Sequence, residues 1–415
     1  MHPSKAYSPE CVEGKFPEVR LEDLEKVPKM VPLGDTLRPH TAHDTGVAIW
    51  HTRRGGEGSL PSTKKERRVS RRRAVLFLRV TTLVLAATAL ASCGRDESAE
   101  KKPTPDSPIA SESGWLAYQT GDVGFMTDEI HLVRVDGSND HVIASNLPGR
   151  QGHPDFSRDG SRLVFDQLTS EESADQIYVA KADGSAPKRV AHCKLPRCVS
   201  HGDPAWSPVP GGSYIAISTA AGPLGETGPA RFGIAIVNVN SEEVTPVVDH
   251  ASTEGQDHFA RWSPDGKRLV FWRGRAKSDG TIQTAVFIVN TDGSGLRQLT
   301  PWNMLAGDPD WSPQGDLIVF STRPLFDFPD SGRSELYTMR PDGSGMHKLT
   351  SYGEDGPRAT QPRWTPDGKA ILYTRVTQAG FPRHIWVIDR TGETDAPVLT
   401  KESIYTHPVL QPGSR

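Results

Sequence analysis

The side chains best suited to chemistry in this chain are found by counting. Three residues before each of Phe156, Trp206, Trp262, Trp311, Trp364 and Leu410 stand His153, Asp203, Phe259, Asp308, Gln361 and His407, with His258 one place off. Most of these are polar. Neutral imidazole and carboxylate are the usual nitrogen and oxygen donors to a divalent ion, so His153, Asp203, His258, Asp308 and His407 could hold one. The same residue types also cap strand starts and bond loop backbone around a solvated channel, which needs no ion. No short motif fixes a ligand geometry, and the expectation is a site without metal or other cofactor. Catalytic signatures are missing too: the sequence has no GxSxG elbow, HExxH pair, P-loop or dinucleotide fingerprint. Asp155, Asp166, Asp257 and Asp355 supply carboxylates, but nothing in the pattern selects a catalytic pair from them.

The counting works because each anchor sits in a recurring phrase. Arg261 to Phe271 reads RWSPDGKRLVF, an aromatic followed by a Ser-Pro-Asp-Gly turn and a strand. Copies run from Phe156 to Phe165, Trp206 to Ile217, Trp311 to Phe320 and Trp364 to Tyr373, with a degraded copy from His407 to Gly413. The spacing of about 46 to 56 residues is that of propeller blades. A second turn signal, Asp-Gly-Ser, recurs at Asp136, Asp183, Asp292 and Asp342, so each unit reads as four strands. In the unit beginning at Ala260 the later strands are Arg268 to Trp272, Thr284 to Asn290 and Leu296 to Thr300. Gly (39) and Pro (34) abundance suits many short strands.

The first unit has three strands, Trp115 to Tyr118, Glu129 to Arg134 and His141 to Ala144, and no aromatic strand before them. His407 to Leu410 is an inner strand with nothing after it. Splicing the two would remove both open edges. The expected fold is therefore all-β: a six-bladed β-propeller over 114–415, closed by the C-terminal strand, with Phe165, Phe271, Phe320 and Tyr373 filling the gaps between blades.

Inner strands converge on the central channel, so His153, Asp203, Asp308, Gln361 and His407 are expected to ring one mouth of it. The longest loops should stand there: Thr219 to Phe232, Arg273 to Ile282 and Thr322 to Ser334. The last presents Leu325, Phe326 and Phe328, and Phe326 and Phe328 join the candidate binding mouth. Cys193 and Cys198, flanked by His192 and His201, form a disulfide or hold zinc, and an exported location favours the disulfide.

Upstream, residues 1–68 are polar and Pro-interrupted, and read as a disordered leader that lies outside the mature protein if translation starts near Val69. Residues 69–92 hold a basic cluster, an apolar run from Ala74 to Leu90 broken by Arg79, and small residues before Cys93, the order of a secretion signal. A membrane-spanning helix is the other reading, though the run is short for one. Residues 93–113 are charged and Ser/Pro-rich, a flexible tether. Ten Lys and Arg against two Glu between Arg53 and Arg79 leave the rest of a chain of net charge −3 distinctly acidic, which argues against nucleic acid as partner.

Two resemblances follow from these residues. The segment ending at Cys93 resembles the lipobox of bacterial lipoproteins, which implies acylation of Cys93 and attachment to the outer face of the cytoplasmic membrane or in the periplasm. The repeat resembles the TolB-type, WD-like β-propeller over about Gly114 to Gly413. That resemblance implies a monomeric, non-catalytic binding platform for a protein or a cell-envelope polymer. Some propellers of this repeat type resemble oligogalacturonate lyases, and that alternative implies a metal-dependent carbohydrate-active enzyme using His153, His258 and His407.

Overall fold

The computed structural model describes residues 109, 114–121, 128–168, 176–191, 198, 200–221, 231–249, 255–322, 333–353, 356–377, 382–400 and 404–413. The leader, the apolar run, Cys93, Phe326 and Phe328 lie outside them. Among the described residues no helix is long and apolar enough to cross a membrane.

The fold is an all-β propeller. Its innermost strands are Arg150–Phe156, Ser200–Trp206, Gln256–Trp262, Ala306–Trp311, Arg358–Trp364 and Ile404–Leu410. Four of them open a four-stranded antiparallel sheet each, running outward in chain order. The turns do what their residues allow: Gly266 sits at φ 69°, and its N–H donates to the Ser263 carbonyl at 2.8 Å. A side chain would resist that φ.

The count of six separate sheets is not what is seen. The remaining eight strands form one sheet, because Arg383 pairs in parallel with Ile404 and joins Arg383–Asp389 to the closing strand. Closure follows the expected route: Ile404–Leu410 lies antiparallel to Trp115–Gly121, with Leu410 opposite Leu116 and Thr406 opposite Gln119. Gln411 completes the seam, its Nε2 donating to the Gly160 carbonyl at 2.7 Å and its Oε1 accepting from Trp115 N–H at 3.2 Å. Gly160 must be glycine, since a Cβ would collide with the Pro412 carbonyl.

Six apolar clusters hold the ring, each mixing residues from two consecutive sets of strands. Phe165, Phe271, Phe320 and Tyr373 are fully buried in four of them, as blade packing requires. Two expectations need correction. Ile109, assigned to the tether, is 1% exposed and packs with Leu116 and Tyr118, so the folded body reaches back before Gly114. Arg273 to Ile282 is not a long loop, because the ladder continues to Ala276 opposite Ile282 and a tight turn at Gly280 closes it.

Candidate functional site

All six counted positions share one backbone state. His153, Asp203, Phe259, Asp308, Gln361 and His407 have φ between 49° and 55°, and the ladder slips at each, so that two residues oppose one. These are β-bulges, which re-aim a side chain. A left-handed non-glycine residue costs on the order of 1–3 kcal/mol and persists only where its surroundings hold it. Side chains of the preceding set of strands do much of the holding. Gln119 Oε1 accepts from His153 N–H at 3.3 Å, Asp166 Oδ2 from Asp203 at 3.0 Å, and Ser218 Oγ from Phe259 at 3.2 Å. Asp308 Oδ2 accepts from Gln361 N–H at 3.3 Å, and Gln361 Oε1 from His407 at 3.4 Å. Pro follows five of the six (Pro154, Pro204, Pro309, Pro362, Pro408), placing a residue with no N–H where the bulge has no ladder partner to offer.

His153, Phe259, Asp308, Gln361 and His407 line one cavity. His153 Nδ1 lies 2.7 Å from Asp166 and 3.7 Å from Asp203. Burial disfavours its charged form, but Asp166 and then Asp203 outweigh it and raise the imidazole to about 9. Asp203 is held well below the usual carboxylate range: burial opposes ionisation, and the bond from His258, 3.4 Å away, with the charge on His153 overcomes it. His407 is driven well below its ordinary value by burial and by His153 beside it. Its ring stacks on Phe259 at 5.7 Å, and its Nε2 meets Gln361 at 3.0 Å. Burial pushes Asp308 up to about 6.

Donor atoms of His153, Asp166 and Asp203 lie within 4.8 Å of one another, a set that could hold a metal ion. As they stand, they close on each other as a charge-assisted hydrogen-bond cluster. The zinc reading at the cysteines loses a ligand, because Cys198 is disulfide-bonded; Cys193 lies outside the described residues.

Sequence counting missed a second layer, two residues further along each inner strand. Asp155, Ala205, Arg261, Asp310, Arg363 and Val409 occupy it, and Arg261 and Arg363 line the same cavity. Arg363 pairs with Asp155 and lies 3.6 Å from Asp310. Each of those carboxylates also accepts a backbone N–H from the next sheet, Trp206 to Asp155 and Trp364 to Asp310, both at 2.8 Å. The signal was present as the repeated Arg-Trp and Asp-aromatic pairs at the anchors.

A family model described as the TolB β-propeller domain matches residues 204–415. The chain is 37% identical over 98 residues to the Tol-Pal system protein TolB of Gluconobacter oxydans, covering 22% of this chain and 19% of that protein. It is 28% identical over 140 residues to an uncharacterised peptidase, YuxL, of Bacillus subtilis, covering 33% and 19%. It thus spans less than half the length of the curated relatives it matches. The crystal structure of TolB from Acinetobacter baumannii superimposes with a TM-score of 0.53 at 16% identity, over 72% of this chain and 67% of that one, a likeness of fold alone.

Proposed function

Because this chain belongs to the TolB β-propeller family, we propose that it is a non-catalytic platform that binds a protein or a cell-envelope polymer at one mouth of a six-bladed ring. Six bulged inner strands and six apolar clusters support that blade count. On this reading the eight-stranded sheet is two blades joined at the single pair Arg383 and Ile404.

The observation that carries the platform role is the cross-sheet bonding at the mouth. His153, Asp203 and Gln361 are held by atoms of neighbouring sheets, and His407 by Gln361 from another inner strand. Such a ring fixes the position of what it displays, and fixed geometry lowers the ordering cost of binding. Export through residues 69–92 and lipid attachment at Cys93 complete the proposal, since confinement to a membrane surface raises the effective concentration toward envelope partners.

The test is affinity capture from solubilised envelope by the full chain, alongside an assay on oligogalacturonate with and without manganese. The expected result is a saturable partner whose capture falls when Phe259 and His407 are changed together to Ala, and no turnover. Cleavage of the oligosaccharide that depends on added metal would replace this reading with the lyase one.

A further inference from the structure

We propose that His153, Asp166 and Asp203 form a site for one divalent transition ion, of the class of Zn2+, that clamps the strand Arg150–Phe156 to the strand Ser200–Trp206. The proposal goes beyond the platform role, which needs no metal. His153 Nδ1 and one carboxylate oxygen from each aspartate lie within 4.8 Å of one another. From Nδ1 it is 2.7 Å to Asp166 Oδ2 and 3.7 Å to Asp203 Oδ1. Ligand atoms about 2.1 Å from a tetrahedral ion stand about 3.4 Å apart, between those two spacings, so small side-chain adjustments seat it. As the ion binds, Nδ1 gives up its hydrogen to solvent. One imidazole nitrogen with two carboxylates suits Zn2+ or Mn2+ better than Ca2+ or Mg2+, which take oxygen donors.

The surroundings are built for this set. Asp166 belongs to neither inner strand; it stands on Arg162–Leu168, opposite Gly152. Gly152 and Gly202 directly precede His153 and Asp203. A Cβ on Gly152 would come within 3.2 Å of Asp166 Oδ1, and one on Gly202 within 3.3 Å of Asp166 Oδ2. The carboxylate therefore rests over two glycines, one in each sheet. Two bonds orient the donors from outside, as the partners of metal ligands do. Asp203 N–H donates to Asp166 Oδ2 at 3.0 Å, and His258 Nδ1 lies 3.4 Å from Asp203 Oδ2, which leaves Oδ1 turned to His153. The three side chains are 13%, 13% and 10% exposed. An imidazolium supplies one positive charge to this pair of carboxylates, and a divalent ion supplies two.

This is a different place from the mouth cavity. His153 lines that cavity, but Asp166 and Asp203 do not. It is also a different set from His153, His258 and His407. Among the described residues only the two aspartates gather with His153 in this way, and His407 has its Nε2 engaged by the Gln361 amide.

The experiment is equilibrium dialysis of the untagged full chain against Zn2+, Mn2+ and Ca2+, with the bound metal counted by atomic emission. A single Zn2+ per chain should bind, Mn2+ more weakly and Ca2+ not at all. With free Zn2+ at about a hundred times its Kd, the folded-to-unfolded ratio should rise about a hundredfold in melting curves. His153→Gln and Asp166→Asn should each weaken Zn2+ binding by about a hundredfold or more, while His407→Gln should leave it unchanged. Co2+ in place of Zn2+ should give visible d–d bands without thiolate charge transfer, which separates this site from the cysteines. Wild type that takes up no Zn2+, unchanged binding in Asp166→Asn, loss of the ion from folded His407→Gln, or thiolate bands with Co2+ would each overturn the proposal. The wild-type metal count and Co2+ spectrum decide the matter if the variants fail to fold. Envelope capture by metal-free protein tests the platform separately.

Discussion

Arg261 and Arg363 occupy equivalent places in two inner strands, each directly before its anchoring tryptophan, yet their surroundings are opposite. Arg363 sits between two aspartates contributed by other sheets. Burial opposes its charge, but Asp155 and Asp310 outweigh that and raise its pKa. Among the described residues Arg261 makes no ion pair. Burial, and then repulsion from Arg363, outweigh the attraction of Asp155, Asp310 and Asp203 and push it down to about 10. The lesson is that a repeat dictates where a side chain points, whereas the residues that face it from other units decide how firmly its charge is held.

That contrast can be broken most completely by opening the ring. Removing Ile404–Arg415 takes away the closing strand and Gln411, and both arginines should lose their distinct environments. The expected outcome is loss of the cooperative thermal transition in calorimetry. Next in size is Arg363→Met, which strands two buried carboxylates. It should cost about 3–5 kcal/mol in urea unfolding, the usual penalty for removing one partner of a buried ion set.

Asp308→Asn sharpens the comparison from the acidic side. A carboxyl whose folded value is raised from 3.8 to about 6 holds its proton more tightly when folded. Its stability contribution is present below pH 3.8 and is lost as pH climbs toward 6. The substitution should therefore gain about 1–3 kcal/mol at pH 8 and almost nothing at pH 3.5, read from melting curves at the two pH values. Smallest of all is Arg261→Met. Arg261 is attracted by Asp155, Asp310 and Asp203 and repelled by Arg363, so these effects offset one another and its removal should change stability by less than about 1 kcal/mol in either direction. A loss as large as that of Arg363→Met would erase the distinction drawn between the two residues.

Five residues of the cavity lining, His153, Phe259, Asp308, Gln361 and His407, were legible in the sequence. The six bulged positions came from counting back from Phe156, Trp206, Trp262, Trp311, Trp364 and Leu410, because β-strand geometry and a fixed turn repeat transmit register along the chain. Their left-handed backbone was not legible, since His, Asp, Phe and Gln carry no mark of it. The prolines that follow five of them were the available clue. Seam pairing could be inferred from a surplus strand at one end and a missing one at the other. The bond from Arg363 to Asp155 could not, because it crosses 208 residues of chain and exists only once the ring has closed. The merging of eight strands was equally hidden, resting on one parallel pair between Arg383 and Ile404. Loop length misled at Arg273, where polar residues that read as a loop extend the ladder instead.

The seam has a consequence for synthesis. Trp115 and Gln411 bond to each other across 296 residues, so the first sheet to leave the ribosome waits for nearly the whole domain to be translated before its innermost strand arrives. Intermediate sheets can assemble as they emerge, but until Ile404–Leu410 follows, the nascent chain carries an unpaired backbone edge at Trp115–Gly121, the kind of surface that chaperones shield.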